Sequence, residues 1–297
     1  MTLGIIFALT CGLLWAFIGV LYSTMARRRM QFFAVMGPAF IVTAIAAWVF
    51  LADYHTLFFG KTNGTASLAW LMIPSGILTV LGMVCMQTAM RRGHHAACWT
   101  IGQSALIAPY LCGVFFFGEP LLARKAFGVA LILASLVAFG RARRKTETEE
   151  PANGGWGWLG LSIACLALLS IQQTLTTLPS HWPNWTDSLR LRVPLMFTGV
   201  ALAYGSGALL TKQRPGRTEL AISAGMVCIS LPSHYCLYKA MDCLTESHMV
   251  GLVYPLAVGT CILGFALYSL VILKEKTTAF HALGVLIGIG GIILLSI

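Results

Sequence analysis

Polar and aromatic side chains occur at helical spacing inside long apolar stretches of this sequence. Gln103 and Tyr110 are seven residues apart, about two helical turns, so one face of a helix can carry both. Further side chains of this kind are Trp15, Gln172, Gln173, His234, Tyr235 and Tyr254. Amide, phenol and imidazole groups donate and accept hydrogen bonds, and neighbouring rings suit the apolar faces of a sugar or a planar solute. We therefore predict that Trp15, Gln103, Tyr110, Gln172, His234, Tyr235 and Tyr254 line a binding site for a small polar solute.

The charge of these stretches restricts the solute further. They contain no unpaired acidic residue near their middle, which disfavours a strongly cationic ligand in a low-dielectric cavity. His234 is the mid-stretch group whose ordinary pKa, about 6.5, allows titration near neutrality, so it is the candidate carrier if protons are the coupling ion. A structural interpretation stands beside the functional one, because a Gln or Ser within such a stretch also serves as an interhelical hydrogen-bonding residue.

The stretches that carry these residues are long enough to cross a membrane. The chain is 58% hydrophobic and 10% charged, and a helix of about 20 apolar residues spans a bilayer. The predicted spans cover residues 3–24, 32–52, 68–90, 96–117, 121–140, 156–176, 189–210, 219–241, 248–273 and 278–297. The predicted fold class is therefore an all-α integral membrane protein with ten transmembrane helices.

One short segment occurs twice in the sequence, in two similar forms. The segments FGEPLLARKAFGVALI and LKEKTTAFHALGVLIG share Glu119 with Glu275 and Gly128 with Gly284. We interpret residues 1–140 and 156–297 as two five-helix repeats joined by a cytoplasmic linker, 141–155. Because five is odd, the second repeat is inverted relative to the first. Glu119 and Glu275 are interpreted as structural residues that complement the starts of the following helices, with proton coupling or gating as the alternative.

Basic residues between the spans predict the orientation of the chain. Fourteen of the 20 Lys and Arg residues lie in the odd-numbered links, which the positive-inside rule places in the cytoplasm. Both termini are then outside. Arg190 and Arg192 fall at the outer face, where they either snorkel toward the interface or form an electropositive vestibule that attracts anionic solutes. Short basic links of this kind are topology signals, so no nucleic-acid partner is expected.

The order of these features resembles a known family. The Gly-Glu and Lys-Glu turns, the A-x-G-V start of the helix that follows each turn, the five-plus-five arrangement and GLLWAFIGV at Gly12–Val20 look like the EamA type of the drug/metabolite transporter superfamily. The basic link ARRRM is similar to that of the branch containing the rhamnose–proton symporter. The resemblance implies a ten-helix transporter of small metabolites. Many EamA-type relatives have both termini in the cytoplasm, opposite to the orientation that the basic residues predict.

The predicted function is secondary transport of a sugar, amino acid or organic anion by alternating access in a multi-pass bacterial inner membrane protein. A lipid or lipid-linked sugar flippase on the same fold is the alternative. A membrane-embedded enzyme is a distant third, because the sequence has no H-x-x-x-D or H-E-x-x-H spacing, and no G-x-x-x-x-G-K-[ST] motif for ATP hydrolysis. No catalytic residue, metal site or cofactor is predicted, and the expected partners are the solute, the lipid bilayer and a coupling proton.

Overall fold

The protein is all-helical over the part of the chain that its computed structural model describes, which comprises residues 1–28, 30–55, 62–92, 98, 101–146, 157–183, 190–272 and 279–297. Within these ranges, the helices before residue 147 that run for more than ten residues are α1 (Thr2–Arg27), α2 (Phe32–Leu51), α3 (Thr62–Arg92), α4 (Ile107–Phe117) and α5 (Ala123–Thr146). The described helices after it are α6 (Gly157–Thr177), α7 (Arg192–Thr211), α8 (Arg217–Thr245), α9 (Val253–Val271) and α10 (Ala279–Ser296).

The helices match their apolar composition. Seven of the described helices, α1–α3 and α6–α9, are long and apolar enough to cross a membrane, and their apolar segments run for 19 to 29 residues. The apolar parts of α4 and α10 are shorter. The first turns of α4 and α9 are preceded by short 3₁₀ segments, Ser104–Leu106 and Val250–Leu252. Such a protein places its hydrophobic outer faces in lipid, because they are too extensive to be covered by polar surface.

The helices pack in pairs that link the two parts of the chain. The most extensive contacts are α5 with α10, α3 with α6, α1 with α8, α2 with α7, and α1 with α9; α3 also packs on α7 and α2 on α8. Exchanging each helix for the one five places along converts α3–α6 into α8–α1 and α3–α7 into α8–α2. It leaves α2–α7 and α5–α10 unchanged. These pairs are therefore preserved when the two sets of five helices are exchanged, whereas α1–α9 converts into α6–α4, a much smaller contact.

Both chain ends lie at the same end of the bundle, which we call the terminal end. A Cβ added to Gly4 in the first turn of α1 would lie 2.8 Å from Cγ of Leu244 at the end of α8. The buried Lys125 side chain joins the start of α5 to the carbonyl of Leu295, with Nζ and O 3.5 Å apart. At the opposite end, the Gln213 side chain accepts hydrogen bonds from the backbone N–H groups of Phe33 and Ala34.

Glycine allows α5 and α10 to approach closely. A Cβ added to Gly291 would lie 2.9 Å from the carbonyl oxygen of Gly128, closer than real Cβ atoms approach. Gly128, predicted from the repeat, thus lies in a helix interface of the small-residue type. Its repeat partner Gly284 is also buried on α10, and Glu275 lies outside the described residues.

The helix bounds follow most of the predicted spans, and the largest differences are in the third, fourth and fifth; α3 begins at Thr62, six residues before the predicted start at 68. α5 continues to Thr146, beyond the predicted end at 140, because the basic residues that follow have good helix propensity and no Gly or Pro interrupts them until residue 151. The predicted linker 141–155 therefore begins within a helix, and its residues 147–155 lie outside the described residues. The fourth span is a helix of 11 residues preceded by the short 3₁₀ segment.

Candidate functional site

A hydrogen-bonded group of α6 and α9 side chains lies inside the bundle. The hydroxyl of Thr176 and the phenol of Tyr254 are 2.6 Å apart, and Thr176 also donates to the carbonyl of Gln173 at 2.8 Å. Because a threonine hydroxyl has one hydrogen, Tyr254 is the donor in the first bond. Gln172 lies within reach of the same phenol oxygen. Tyr254, Thr176 and Gln172 are all buried, so this network is shielded from solvent and lipid.

Aromatic rings surround His234 next to this network. The ring centroids of His234 and Phe197 are 4.8 Å apart in an edge-to-face arrangement. Trp15 lies 6.1 Å from His234 and 6.3 Å from Tyr254. Atom Nδ1 of His234 is 3.0 Å from the carbonyl of Ser230, which can only accept, so Nδ1 carries the hydrogen and Nε2 is the acceptor of the neutral ring. We call Trp15, Gln172, Thr176, Phe197, His234 and Tyr254 the central cluster.

Trp15 faces the inside of the bundle. Leu13 and Phe17 are 51% and 59% exposed and mark the outer face of α1. Trp15 is two residues from each, about 200° around the helix, and therefore points inward. It is nevertheless only partly buried, as is His234, so water-sized molecules reach both rings. Trp15 and His234 are therefore the partly accessible members of the central cluster, and its other four residues are buried.

Two further polar atoms beside the central cluster have no hydrogen-bond partner among the described residues. They are Oε1 of Gln173 and the hydroxyl oxygen of Ser230, on residues that are 7% and 1% exposed. A buried polar group without a partner costs about 1–3 kcal/mol, which a bound solute or water can recover. Both glutamines of α6, Gln172 and Gln173, are buried.

Three predicted site residues lie outside the central cluster. Tyr235 is 43% exposed and lies on the outer face of α8, because it is 100° around the helix from His234. Gln103 immediately precedes the 3₁₀ segment Ser104–Leu106, which packs against α6 and α9, the helices that carry Gln172 and Tyr254. Tyr110 is buried near Glu119, and its phenol oxygen has no partner among the described residues.

The two arginines predicted for a vestibule occupy different environments. Arg190 is exposed, in keeping with a surface position. Arg192 is fully buried at the start of α7 and bonds to a carboxylate oxygen of Asp242 at 3.2 Å and to the hydroxyl of Ser180 at 2.8 Å. Arg192 is therefore a partner in a buried ion pair between α7 and α8 and does not line an open vestibule.

Glu119 is a further buried charged group at the terminal end. Gly118 has φ 67°, the left-handed conformation that ends α4 and turns the chain into the Glu119 position. Both carboxylate oxygens lie 3.1 Å from the backbone nitrogen of Gly251, and Oε1 lies 3.7 Å from Nε2 of His181. Burial raises the pKa of Glu119 to about 7, against the N–H groups of Gly251 and Val250, which lower it.

Several of these residues were missed by sequence reasoning. Phe197 and Thr176 carried no signal because ordinary apolar helices contain both types of residue. Ser180 and His181 lie in a link, and their partners are remote in the sequence. Among the described residues, no three His, Cys, Asp or Glu side chains come close enough to hold a metal ion, and all nine cysteines are free thiols.

The comparison with known proteins supports the fold and does not identify a function. A solved structure described only as the crystal structure of a protein superposes with a TM-score of 0.71 at 16% identity, over 98% of this chain and 95% of its own. At that identity, the similarity establishes a shared fold. No protein-family model matches the chain. No curated protein matches it either.

Proposed function

We propose that this protein is a secondary transporter of a small polar metabolite, a sugar, amino acid or organic anion, that works by alternating access. The observation that carries the proposal is the central cluster: neutral polar groups and aromatic rings from helices of both halves, brought together inside the bundle. Polar groups are costly in a membrane interior, and their convergence at one place is typical of a substrate site.

The proposed architecture is ten spans in two inverted five-helix repeats, of the EamA type, in a bacterial inner membrane with both termini outside. The exchange relation among the helix pairs supports equivalent halves. The position of both termini at one end supports an even number of crossings. Two equivalent halves that exchange conformations would give access to the central cluster from either side of the membrane.

The central cluster favours a neutral or zwitterionic solute with several hydroxyl or amide groups. Nε2 of neutral His234 and Oε1 of Gln173 are acceptors, and the Gln172 amide and Ser230 hydroxyl can donate. Trp15, which is only partly buried, offers a ring face to the apolar side of the solute, and Phe197 holds His234 in place behind it. Such a ligand would satisfy the unpartnered atoms of Gln173 and Ser230.

A thermal-shift screen of the purified protein against sugars, amino acids, nucleosides and organic anions tests this proposal, because a ligand that binds the folded state raises the unfolding midpoint. We expect a hit whose stabilisation is lost in Gln172→Ala and His234→Ala and kept in Tyr235→Ala, the matched exposed control. Uptake of the same ligand into proteoliposomes that contain the protein would then demonstrate transport directly. Stabilisation that survives both cluster substitutions, or translocation of labelled lipid without a soluble substrate, would contradict it.

A further inference from the structure

The contact between Glu119 and Gly251 joins the two halves of the protein at the terminal end. Glu119 belongs to the link between α4 and α5, and Gly251 belongs to the 3₁₀ segment that begins α9. The carboxyl group lies symmetrically on one N–H, with both oxygens at 3.1 Å. A Cβ added to Gly251 would lie 2.9 Å from Oε2, so this site leaves no room for a larger residue. The link of one half is therefore seated directly on the start of a helix from the other.

His181 completes this contact from a third element. It ends the 3₁₀ segment Leu178–His181 that follows α6, and its ring stacks on Phe117 with centroids 3.9 Å apart and planes 5° apart. The stacking fixes the ring with Nε2 toward Glu119. Glu119 is 5% exposed, so the carboxyl and imidazole face each other in a nearly dry environment.

The titratable groups that act on this pair lie on α4, on α7 and in the link between α8 and α9. On α4, the Tyr110 phenol and the Cys112 thiol lie close enough to Glu119 to sense its charge. Burial lowers the pKa of His181, and the positive charges of His248 in the α8–α9 link and Arg192 on α7 lower it further. Arg192 is already neutralised by Asp242. The described surroundings of Glu119 therefore include N–H dipoles and His181 but no lysine or arginine bonded to its carboxylate.

We infer that Glu119 and His181 form a proton-binding latch that holds the two halves together at the terminal end, and that this latch is the coupling site of the proposed transporter. With one proton on the pair, the closed contact holds a neutral acid beside a neutral imidazole, because burial lowers the pKa of His181 to about 4 and raises that of Glu119 to about 7. This arrangement has no net charge. Losing that proton leaves a buried carboxylate, whose desolvation is costly, and favours separation of the link from Gly251.

The direction of the effect follows from linkage. In the closed contact, the pKa of Glu119 is about 7, above its ordinary value of 4.5. The closed form therefore binds the proton more tightly than a water-exposed form does, and acidification favours closure. This assigns the coupling proton to Glu119, for which the sequence analysis gave proton coupling as the alternative to a structural role, and not to His234, its candidate carrier. The coupling role of this proton rests on the proposed function. The latch itself is a property of the folded protein.

Infrared difference spectroscopy between pH 5.5 and pH 8.5 tests proton binding directly in the purified full-length protein. We expect a C=O stretching band of a protonated carboxyl group that titrates near pH 7 in the native protein and is absent in Glu119→Gln. Glu246→Gln removes an exposed carboxylate at the same end and should keep the band. His181→Gln should shift the midpoint, because the titratable neighbour is gone. An unchanged band in Glu119→Gln, or an unchanged midpoint in His181→Gln, overturns the assignment.

Hydrogen exchange at the Gly251 amide tests the latch. After correction for the intrinsic pH dependence, we expect exchange to be more than about tenfold faster at pH 8.5 than at pH 5.5. Equal corrected rates in the native protein overturn the proposal even if Glu119→Gln fails to fold. Neither measurement uses a substrate. A failed ligand screen would therefore refute transport and leave the latch intact, whereas equal corrected rates would refute the latch alone.

Discussion

The phenol of Tyr254 on α9 donates a hydrogen bond to the hydroxyl oxygen of Thr176 on α6, with the two oxygens 2.6 Å apart. Thr176 accepts this bond because its own hydrogen is directed to the carbonyl of Gln173. One bond thus fixes α9 against α6 at the depth of the central cluster. It also orients the ring that faces Trp15.

Replacing Tyr254 by Phe is expected to destabilise the protein modestly and to weaken ligand binding strongly. The substitution keeps the ring and leaves the Thr176 oxygen without its donor, a loss of about 0.5–1.5 kcal/mol. The unfolding midpoint in detergent should fall accordingly. Tyr235→Phe, at an exposed position on α8, is the control and should change neither quantity. Full ligand stabilisation in Tyr254→Phe would remove Tyr254 from the site.

Breaking the buried ion pair of Arg192 and Asp242 is expected to destabilise the folded protein severely. Asp242→Asn leaves a fully buried guanidinium without its countercharge, a loss of about 3–5 kcal/mol. The amount of monodisperse protein on size exclusion should drop sharply. The double variant Arg192→Met with Asp242→Asn should recover much of it, since neither charge remains. Arg190→Met alters an exposed arginine two residues away and should behave as native protein. A double variant no better than Asp242→Asn would contradict this account.

Stability should decrease as the pH rises through neutrality, because of Glu119. Its pKa is about 7 in the folded protein and near 4.5 when unfolded, so the folded state holds more protons between these values. The contribution to stability is complete below about pH 4.5 and is lost as the pH passes 7. Thermal midpoints measured from pH 5 to pH 8 should show this decline in native protein. Glu119→Gln, which cannot ionise, should flatten the curve; an equal slope in both proteins would refute the assignment.

Replacing Gly291 by a larger residue is expected to disrupt the close interface between α5 and α10. A Cβ at this position would lie 2.9 Å from the backbone oxygen of Gly128, so Gly291→Val forces the helices apart at a cost of about 1–3 kcal/mol. The adjacent Gly290→Ala is the matched control, because its added Cβ would make an ordinary 3.8 Å contact with Leu131. Unfolding midpoints of the two variants should differ clearly. Equal midpoints would show that the interface relaxes freely.

Labelling with an impermeant reagent in whole cells tests the orientation. We expect reagent added outside to reach a tag at residue 1 and a cysteine at Glu246, which lie at the same end of the bundle. A tag near Thr146 and a cysteine at Gln213 should be protected until the membrane is opened. The reverse pattern would place the termini in the cytoplasm, as in many EamA-type relatives. Labelling of Glu246 and residue 1 from opposite sides would contradict the fold.

Helix positions were predictable from the sequence because apolar length alone specifies them. The central cluster was predictable in part: polar groups in apolar spans must be buried together, which identified Trp15, Gln172, His234 and Tyr254. Which of two adjacent residues faces inward was harder to predict from the sequence. His234 and Tyr235 differ by 100° of rotation, and only the packing of α8 on α1 and α2 decides which of them faces inward.

The partners of charged residues were not predictable, for a different reason. Arg192 and Asp242 are 50 residues apart, and Glu119 and Gly251 are 132 apart. No local pattern encodes such pairs, because the contact exists only after separate helices have docked. The glutamate was expected to complement its own helix, and the structure instead places its carboxylate on the N–H of another.

The aromatic contacts at the end opposite the termini have an electrical consequence. Tyr204 is stacked on Phe40 with centroids 5.1 Å apart and meets Phe32 edge-on, and Phe40 also contacts Phe197, the neighbour of His234. Ions and water screen a voltage wherever they enter, so a membrane potential falls mainly across the region they do not enter. In the state open toward the terminal end that alternating access requires, these rings would carry most of the field, worth about 2.3 kcal/mol per elementary charge for each 100 mV. A charged solute leaving the central cluster past Tyr204 would experience nearly all of the membrane voltage within a few ring thicknesses.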